Sequence, residues 1–252
     1  SVFVDSVYDY PTQFIGLPLI VATISFAIQL YCDFSGYCDI AIGSAKVLGF
    51  NLMDNFNRPY AAKSVLDFWK RWHISLSSWF KDYLYIPLGG NRVSIPRLYF
   101  NLMIVFLISG LWHGANWTFI VWGAMHGFFL VFSMMTSNIR AKFVNYIGLS
   151  KMPRLHMVIQ VSFTFTLVCL AFIFFRAISL FDAWYILTHL HTGLYGSFVV
   201  LFTMGGLSAF INNLSANGFT FISVIIAVAF MEFVHFTEKH GKIGDALVNK
   251  AP

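Results

Sequence analysis

A chain of 252 residues that is 58% hydrophobic, 19% aromatic and only 11% charged is too apolar for a soluble domain, in which about a quarter of residues carry charge. Its mean hydropathy of +0.71 places it in a bilayer. The net charge of +5 is distributed as in membrane loops, which excludes nucleic acid as its partner.

A helix needs about 20 apolar residues to cross the hydrocarbon. The chain begins at Ser1 and enters its first such run, Phe14–Tyr31, almost at once. It therefore reads as the C-terminal portion of a longer protein. A polar insertion follows directly, Cys32-Asp33-Phe34-Ser35-Gly36-Tyr37-Cys38-Asp39. Gly36 is expected to break the helix. Asp33 and Asp39 lie in apolar surroundings, where buried carboxylates hold a histidine, cap a helix or bind a metal. Cys32, Cys38 and Cys169 have neither zinc nor redox spacing and are read as small apolar residues.

From Val65 the residues Trp69, Trp72, His73, Leu76, Trp79, Phe80 and Tyr83 recur at helical spacing. Lys70, Arg71, Ser77, Ser78 and Lys81 occupy the other face. A tryptophan-rich face opposite a basic one predicts a helix lying in the membrane interface, ending near Pro87 and the Gly89-Gly90-Asn91 turn. His73 shares the apolar face and is expected to point into the protein.

Next come two apolar arms, Leu98–Leu111 and Trp117–Met135, joined through Gly110-Leu111-Trp112-His113-Gly114-Ala115-Asn116-Trp117. Fifteen residues from Leu98 to Trp112 rise about 22 Å, against a hydrocarbon core of roughly 30 Å. The turn with His113 is thus expected inside the membrane. An ionisable side chain there is costly and by default a functional candidate; the plainer alternative is a core histidine bonded to a carbonyl and packed between Trp112 and Trp117. His126, on the return arm with Gly123 and Gly127, is a candidate to line the same chamber or to pack against a neighbouring helix. Met157–Phe175 is a further span, closed by the structural or snorkelling charge Arg176. Beyond it, the apolar residues Ala183 to Leu187 are cut off by His189, His191 and Gly193. Together with Ser197–Leu207 they read as a broken or tilted segment, and Phe219–Phe236 reads as a last span interrupted by Glu232 and His235. No carboxylate cluster accompanies His189 and His191, so no metal is expected.

Eight of the 16 Lys and Arg residues fall between Lys46 and Arg97, and four more between Arg140 and Arg154. These basic stretches flank the hairpin on both sides and mark the cytoplasmic face. The N-terminus with Asp5 and Asp9 is then outside, the hairpin enters and returns on the inner side, and the tail with Lys239, Lys242 and Lys250 is cytoplasmic. His113 falls nearer the outer face, and His73 at the inner interface. The expected fold is all-α: one multi-pass membrane domain over 1–252, with a buried His-containing helical hairpin and an interfacial amphipathic helix.

The stretches Phe68-Trp69-Lys70-Arg71-Trp72-His73-Ile74-Ser75-Leu76-Ser77, Asp82-Tyr83-Leu84-Tyr85-Ile86-Pro87-Leu88-Gly89-Gly90-Asn91 and Gly110-Leu111-Trp112-His113-Gly114 resemble the membrane-bound O-acyltransferase (MBOAT) family. Asp33-Phe34-Ser35-Gly36-Tyr37 and Phe174-Phe175-Arg176-Ala177 are similar to its alginate O-acetyltransferase branch. The resemblance covers nearly the whole chain and implies the C-terminal part of an MBOAT core without its N-terminal helices. It implies that His113 is the catalytic histidine and His73 the second histidine, set on the cytoplasmic side of one tunnel. It also implies an acyl donor from the cytoplasm, acetyl-CoA or an acyl-carrier thioester, which is a substrate and not a bound cofactor. The acceptor is then a hydroxyl of an exported polysaccharide such as alginate, reached directly or through a periplasmic partner protein, at the bacterial inner membrane.

A neutral imidazole takes the proton of an attacking hydroxyl. Asn116 is a candidate oxyanion donor or an ordinary turn residue. No Asp follows His113 closely, so Asp33 and Asp39 are the candidate orienting carboxylates. Within the same family, D-alanyl transfer to teichoic acid stays open. Outside it, an intramembrane proton or solute transporter and a non-catalytic scaffold are the alternatives.

Overall fold

The computed structural model describes residues 2–194 and is helical throughout that range apart from its loops. Helix α1 (Val2–Asp9) leads through a short 3-10 turn into α2 (Leu17–Val47). The connection after α2 carries α3 (Val65–Trp69) and α4 (Ile74–Phe80), and α4 runs on into a π-helical turn at Lys81–Tyr85. The hairpin follows as α5 (Ile95–His113) and α6 (Trp117–Met135), then α7 (Ser137–Tyr146), α8 (Pro153–Arg176) and α9 (Leu180–His189). Among the described residues α2, α5, α6 and α8 are long and apolar enough to cross a membrane. The expected Ser197–Leu207 segment, the Phe219–Phe236 span and the lysine-bearing tail lie outside the described residues.

Three helices differ from the expectation in informative ways. Gly36 does not break the first span: α2 continues through it for 31 residues, about 46 Å. One glycine costs a helix only about 1 kcal/mol, which the apolar flanks offset. The first hairpin arm is also longer than its apolar run, because Pro96 starts it within the first turn, where a missing N–H costs nothing. Its 19 residues rise about 28 Å, close to the full hydrocarbon thickness. Finally, the helix expected over 65–83 is interrupted: His73 takes a left-handed φ of 45°, ending α3 and starting α4. Ser64 caps α3, its Oγ accepting the Asp67 N–H at 3.1 Å.

α5 and α6 pack backbone to backbone. A Cβ on Gly110 would strike the Phe119 carbonyl oxygen, and one on Gly123 the Phe106 carbonyl oxygen. Small residues at the contact are what let helices approach this closely in lipid. The remaining core is aromatic. Phe172 of α8 packs on Phe26 of α2 at 6.1 Å and on Trp72 at 5.7 Å. Trp72 in turn stacks on Phe68 at 5.5 Å.

Specific contacts fix which helix ends share a side. Arg176, closing α8, pairs with Asp5 (2.8 Å) and Asp9 (3.5 Å) of α1. Asn116, in the hairpin turn, donates from Nδ2 to the Ile178 carbonyl just beyond α8 (3.1 Å). The His113 turn therefore lies at the acidic end of the bundle. Lys46, Arg97, Arg140 and Arg154 belong to the opposite ends of α2, α5, α6 and α8, as the alternation of basic loops predicts.

Candidate active site

His113 is the last residue of α5, and the chain turns immediately through Gly114. A Cβ there would press on the Phe119 ring, 2.7 Å away. The half-buried imidazole stands among four aromatic rings: Trp112 at 4.9 Å, Trp122 at 5.0 Å, Phe175 at 5.1 Å and Phe119 at 6.3 Å between centroids. Three elements, α5, α6 and α8, thus hold one side chain by packing alone. Among the described residues neither of its ring nitrogens hydrogen-bonds. A structural core histidine would bond a carbonyl; this one keeps both nitrogens for something else. The ring packs beside Trp122 and not beside Trp117, which is 69% exposed.

His73 reaches the same place from the α3–α4 break. Its ring lies 4.8 Å from Phe34 of α2 and 6.5 Å from Trp112. The two imidazoles are close enough to repel one another when both are charged. The expectation of one histidine at each face therefore gives way to a pair sharing Trp112. Asn55, which the sequence reading passed over, fixes His73. Its Oδ1 accepts from Ser75 N (3.1 Å) and Ser75 Oγ (2.6 Å), which makes it an acceptor, and His73 Nδ1 lies 3.4 Å from it. The His73 proton then sits on Nδ1, leaving the Nε2 lone pair available. Asn55 also accepts from Ile74 N at its carbonyl (3.0 Å) and donates to Cys38 Sγ (3.5 Å). Burial holds the His73 imidazole below its usual pKa.

The carboxylates do not join this centre. Asp33 and Asp39 are exposed on α2, and the motif around them contributes the Phe34 ring instead. Helical geometry explains this, since neighbours in sequence point about 100° apart. Asn116 caps α6 and is engaged at both ends of its amide: Oδ1 accepts from Thr118 N (3.1 Å) while Nδ2 holds Ile178. That leaves it in the turn-stabilising role of the two expected.

His126 is fully buried. Its Nδ1 accepts the indole N–H of Trp69 at 3.3 Å, and its ring lies between Phe68 at 6.2 Å and Trp122 at 5.0 Å. Trp122 therefore touches His113 on one side and His126 on the other. No group of three or more potential metal ligands forms among the described residues.

Fold and site together define a multi-pass helical membrane protein with paired histidines in an aromatic enclosure. The model of the membrane-bound O-acyltransferase family matches residues 1–181, and the chain belongs to that family. It is 40% identical over 214 residues to a probable alginate O-acetylase of Pseudomonas fluorescens, covering 84% of this chain and 39% of that protein. A peptidoglycan O-acetyltransferase of Helicobacter pylori is 45% identical over 181 residues, 72% of this chain and 33% of its own length. More distantly, a teichoic acid D-alanyltransferase of Bacillus subtilis is 33% identical over 110 residues, 40% of this chain and 27% of its length. The chain thus spans between about a quarter and two fifths of the relatives it matches.

Proposed function

We propose that this chain forms the histidine-bearing part of an O-acyltransferase of the bacterial inner membrane, moving an acetyl group from a cytoplasmic thioester to a hydroxyl of an exported polysaccharide. The observation that carries this reading is His113: an imidazole buried among rings, without a hydrogen-bond partner among the described residues, at the end of the bundle opposite the basic loops. An acceptor arriving from that end meets His113 first. The donor's route from the basic end passes the surface cleft lined by Lys46, Phe50, Leu52 and Asp54, and Asn55, next in the chain, holds His73. Lys46 suits an anionic donor.

In the reaction the acceptor hydroxyl gives its proton to His113 as its oxygen attacks the thioester carbonyl. The tetrahedral oxyanion collapses, the C–S bond breaks, and the imidazolium returns its proton to the leaving sulfur. The products are an ester and a thiol. Such a general base contributes roughly 10²–10⁴-fold, and the aromatic walls keep water from the thioester. His73, with Nε2 unprotonated, orients the donor from the other side of Trp112. The greater likeness to O-acetylases over a larger share of the chain supports acetyl over D-alanyl as the group transferred. An alginate-like polymer is the acceptor this reading favours, reached directly or through a periplasmic partner.

The test is mass spectrometry of exported polysaccharide from cells lacking the gene, complemented with wild type or His113→Ala. The variant is expected to accumulate normally in the membrane and to leave the polymer without acetyl esters. Normal acetylation in the variant overturns the role of His113. A loss of ion or solute flux, with no acyl product even from wild type, identifies a transporter instead.

A further inference from the structure

Acyl transfer needs a donor for the oxyanion that forms on the thioester carbonyl, and removing such a donor commonly costs about 10²–10³-fold in rate. Asn116 does not supply it, because both ends of its amide are occupied. Buried N–H groups are nearly always paired, so an orphan donor is a conspicuous feature. Among the described residues the buried side-chain donors without a partner are Trp122 Nε1 and His126 Nε2. Trp122 is 1% and His126 0% exposed. They lie one helical turn apart on α6, on the face turned toward His113.

Each is fixed in the form required. An indole nitrogen is a donor in every state it adopts. Nδ1 of His126 accepts from Trp69, which places the His126 proton on Nε2. The rings run in sequence from His113 to Trp122 (5.0 Å, 88°) and from Trp122 to His126 (5.0 Å, 70°). A carbonyl whose carbon is attacked beside His113 therefore has its oxygen next to the Trp122 ring.

We propose that Trp122 Nε1–H and His126 Nε2–H form the oxyanion hole of this acyltransferase, with Trp69 as the positioning residue that sets the His126 tautomer. The proposal rests on the acyl-transfer reading above. As the hydroxyl oxygen bonds to the thioester carbon, the carbonyl π pair moves onto oxygen, where the two N–H groups receive it. It returns to re-form C=O as the thiolate leaves. Neither donor gives up its proton, so the balance of the reaction is unchanged.

The experiment compares wild type with three variants of the complete protein in membranes, measuring acetyl transfer from acetyl-CoA to a soluble polysaccharide fragment. Trp122→Phe removes the donor but shrinks the ring. Replacing Trp122 by benzothienylalanine keeps the shape and lacks the N–H. His126→Asn retains an acceptor for Trp69 and removes the second donor. The expected result is a kcat about 10²-fold lower in the benzothienylalanine protein, with KM and thermal stability unchanged, and a comparable loss in His126→Asn. Full kcat in the benzothienylalanine protein overturns the oxyanion assignment, even if Trp122→Phe is inactive through misfolding. Absence of acetyl transfer by wild type overturns the reading beneath it instead, so the two failures are told apart.

Discussion

At the scale of single residues the site is a division of labour between two histidines with different surroundings. His113 is held by packing and keeps its nitrogens free; His73 is held by Asn55 and by an uncommon backbone angle. Burial lowers the His73 pKa, and the sign of its effect follows. In the unfolded chain His73 protonates at about pH 6.5, whereas in the folded protein it resists doing so. Its contribution to stability is therefore present above that pH and is lost as pH falls through the folded value. The thermal midpoint of the detergent-solubilised protein is expected to fall between pH 7 and pH 5, and His73→Gln is expected to flatten that fall. A midpoint with the same pH slope in the variant would assign the effect to other groups. Both histidines were legible in the sequence because each interrupts an apolar pattern. Asn55 was not, since it sits among Asn51, Asp54 and Asn57 in a polar loop and nothing distinguishes it there. Asp33 and Asp39 misled for the opposite reason: polarity in an apolar context marked the right segment, but the residue facing the site is Phe34.

At the scale of elements, the hairpin is positioned by what its glycines lack. Gly110 and Gly123 let α5 and α6 meet at their backbones, and this contact brings His113 at the end of one helix against Trp122 in the other. A methyl group at position 123 meets a carbonyl oxygen rather than a flexible side chain, so the helices must part. Gly123→Ala is expected to cost about 1–3 kcal/mol, read as a lower thermal midpoint, and to reduce acyl transfer by displacing Trp122. Wild-type stability and activity in that variant would show that the close approach is dispensable. The sequence revealed both arms through their apolar length, and the tryptophan-rich segment through its helical period. It did not reveal the break at His73, because apolar spacing of three and four residues continues across a one-residue kink. Helices α7 and α9 went unpredicted as well, being only 10 residues each with no apolar run long enough to mark them.

At the scale of the whole molecule, polarity along the bundle axis organises everything else. The Arg176 pairs with Asp5 and Asp9 gather the acidic N-terminus, the end of α8 and the hairpin turn at one side, while the basic helix ends collect at the other. That sidedness was readable from charge alone. What charge could not convey is that His73 leaves the basic side and joins His113 beneath Trp112, since this depends on three aromatic contacts between segments far apart in sequence. The central claim is that the paired histidines pass an acyl group from donor to acceptor between those two sides. The most direct measurement follows thioester cleavage and ester formation together, with the complete protein in sealed vesicles, acetyl-CoA on the basic face and a polysaccharide fragment on the other. Wild type is predicted to form one ester per thioester cleaved, and His113→Ala to slow both by at least about 10²-fold. Equal rates for the two proteins, or thioester cleavage without any ester on the far side, would contradict the account.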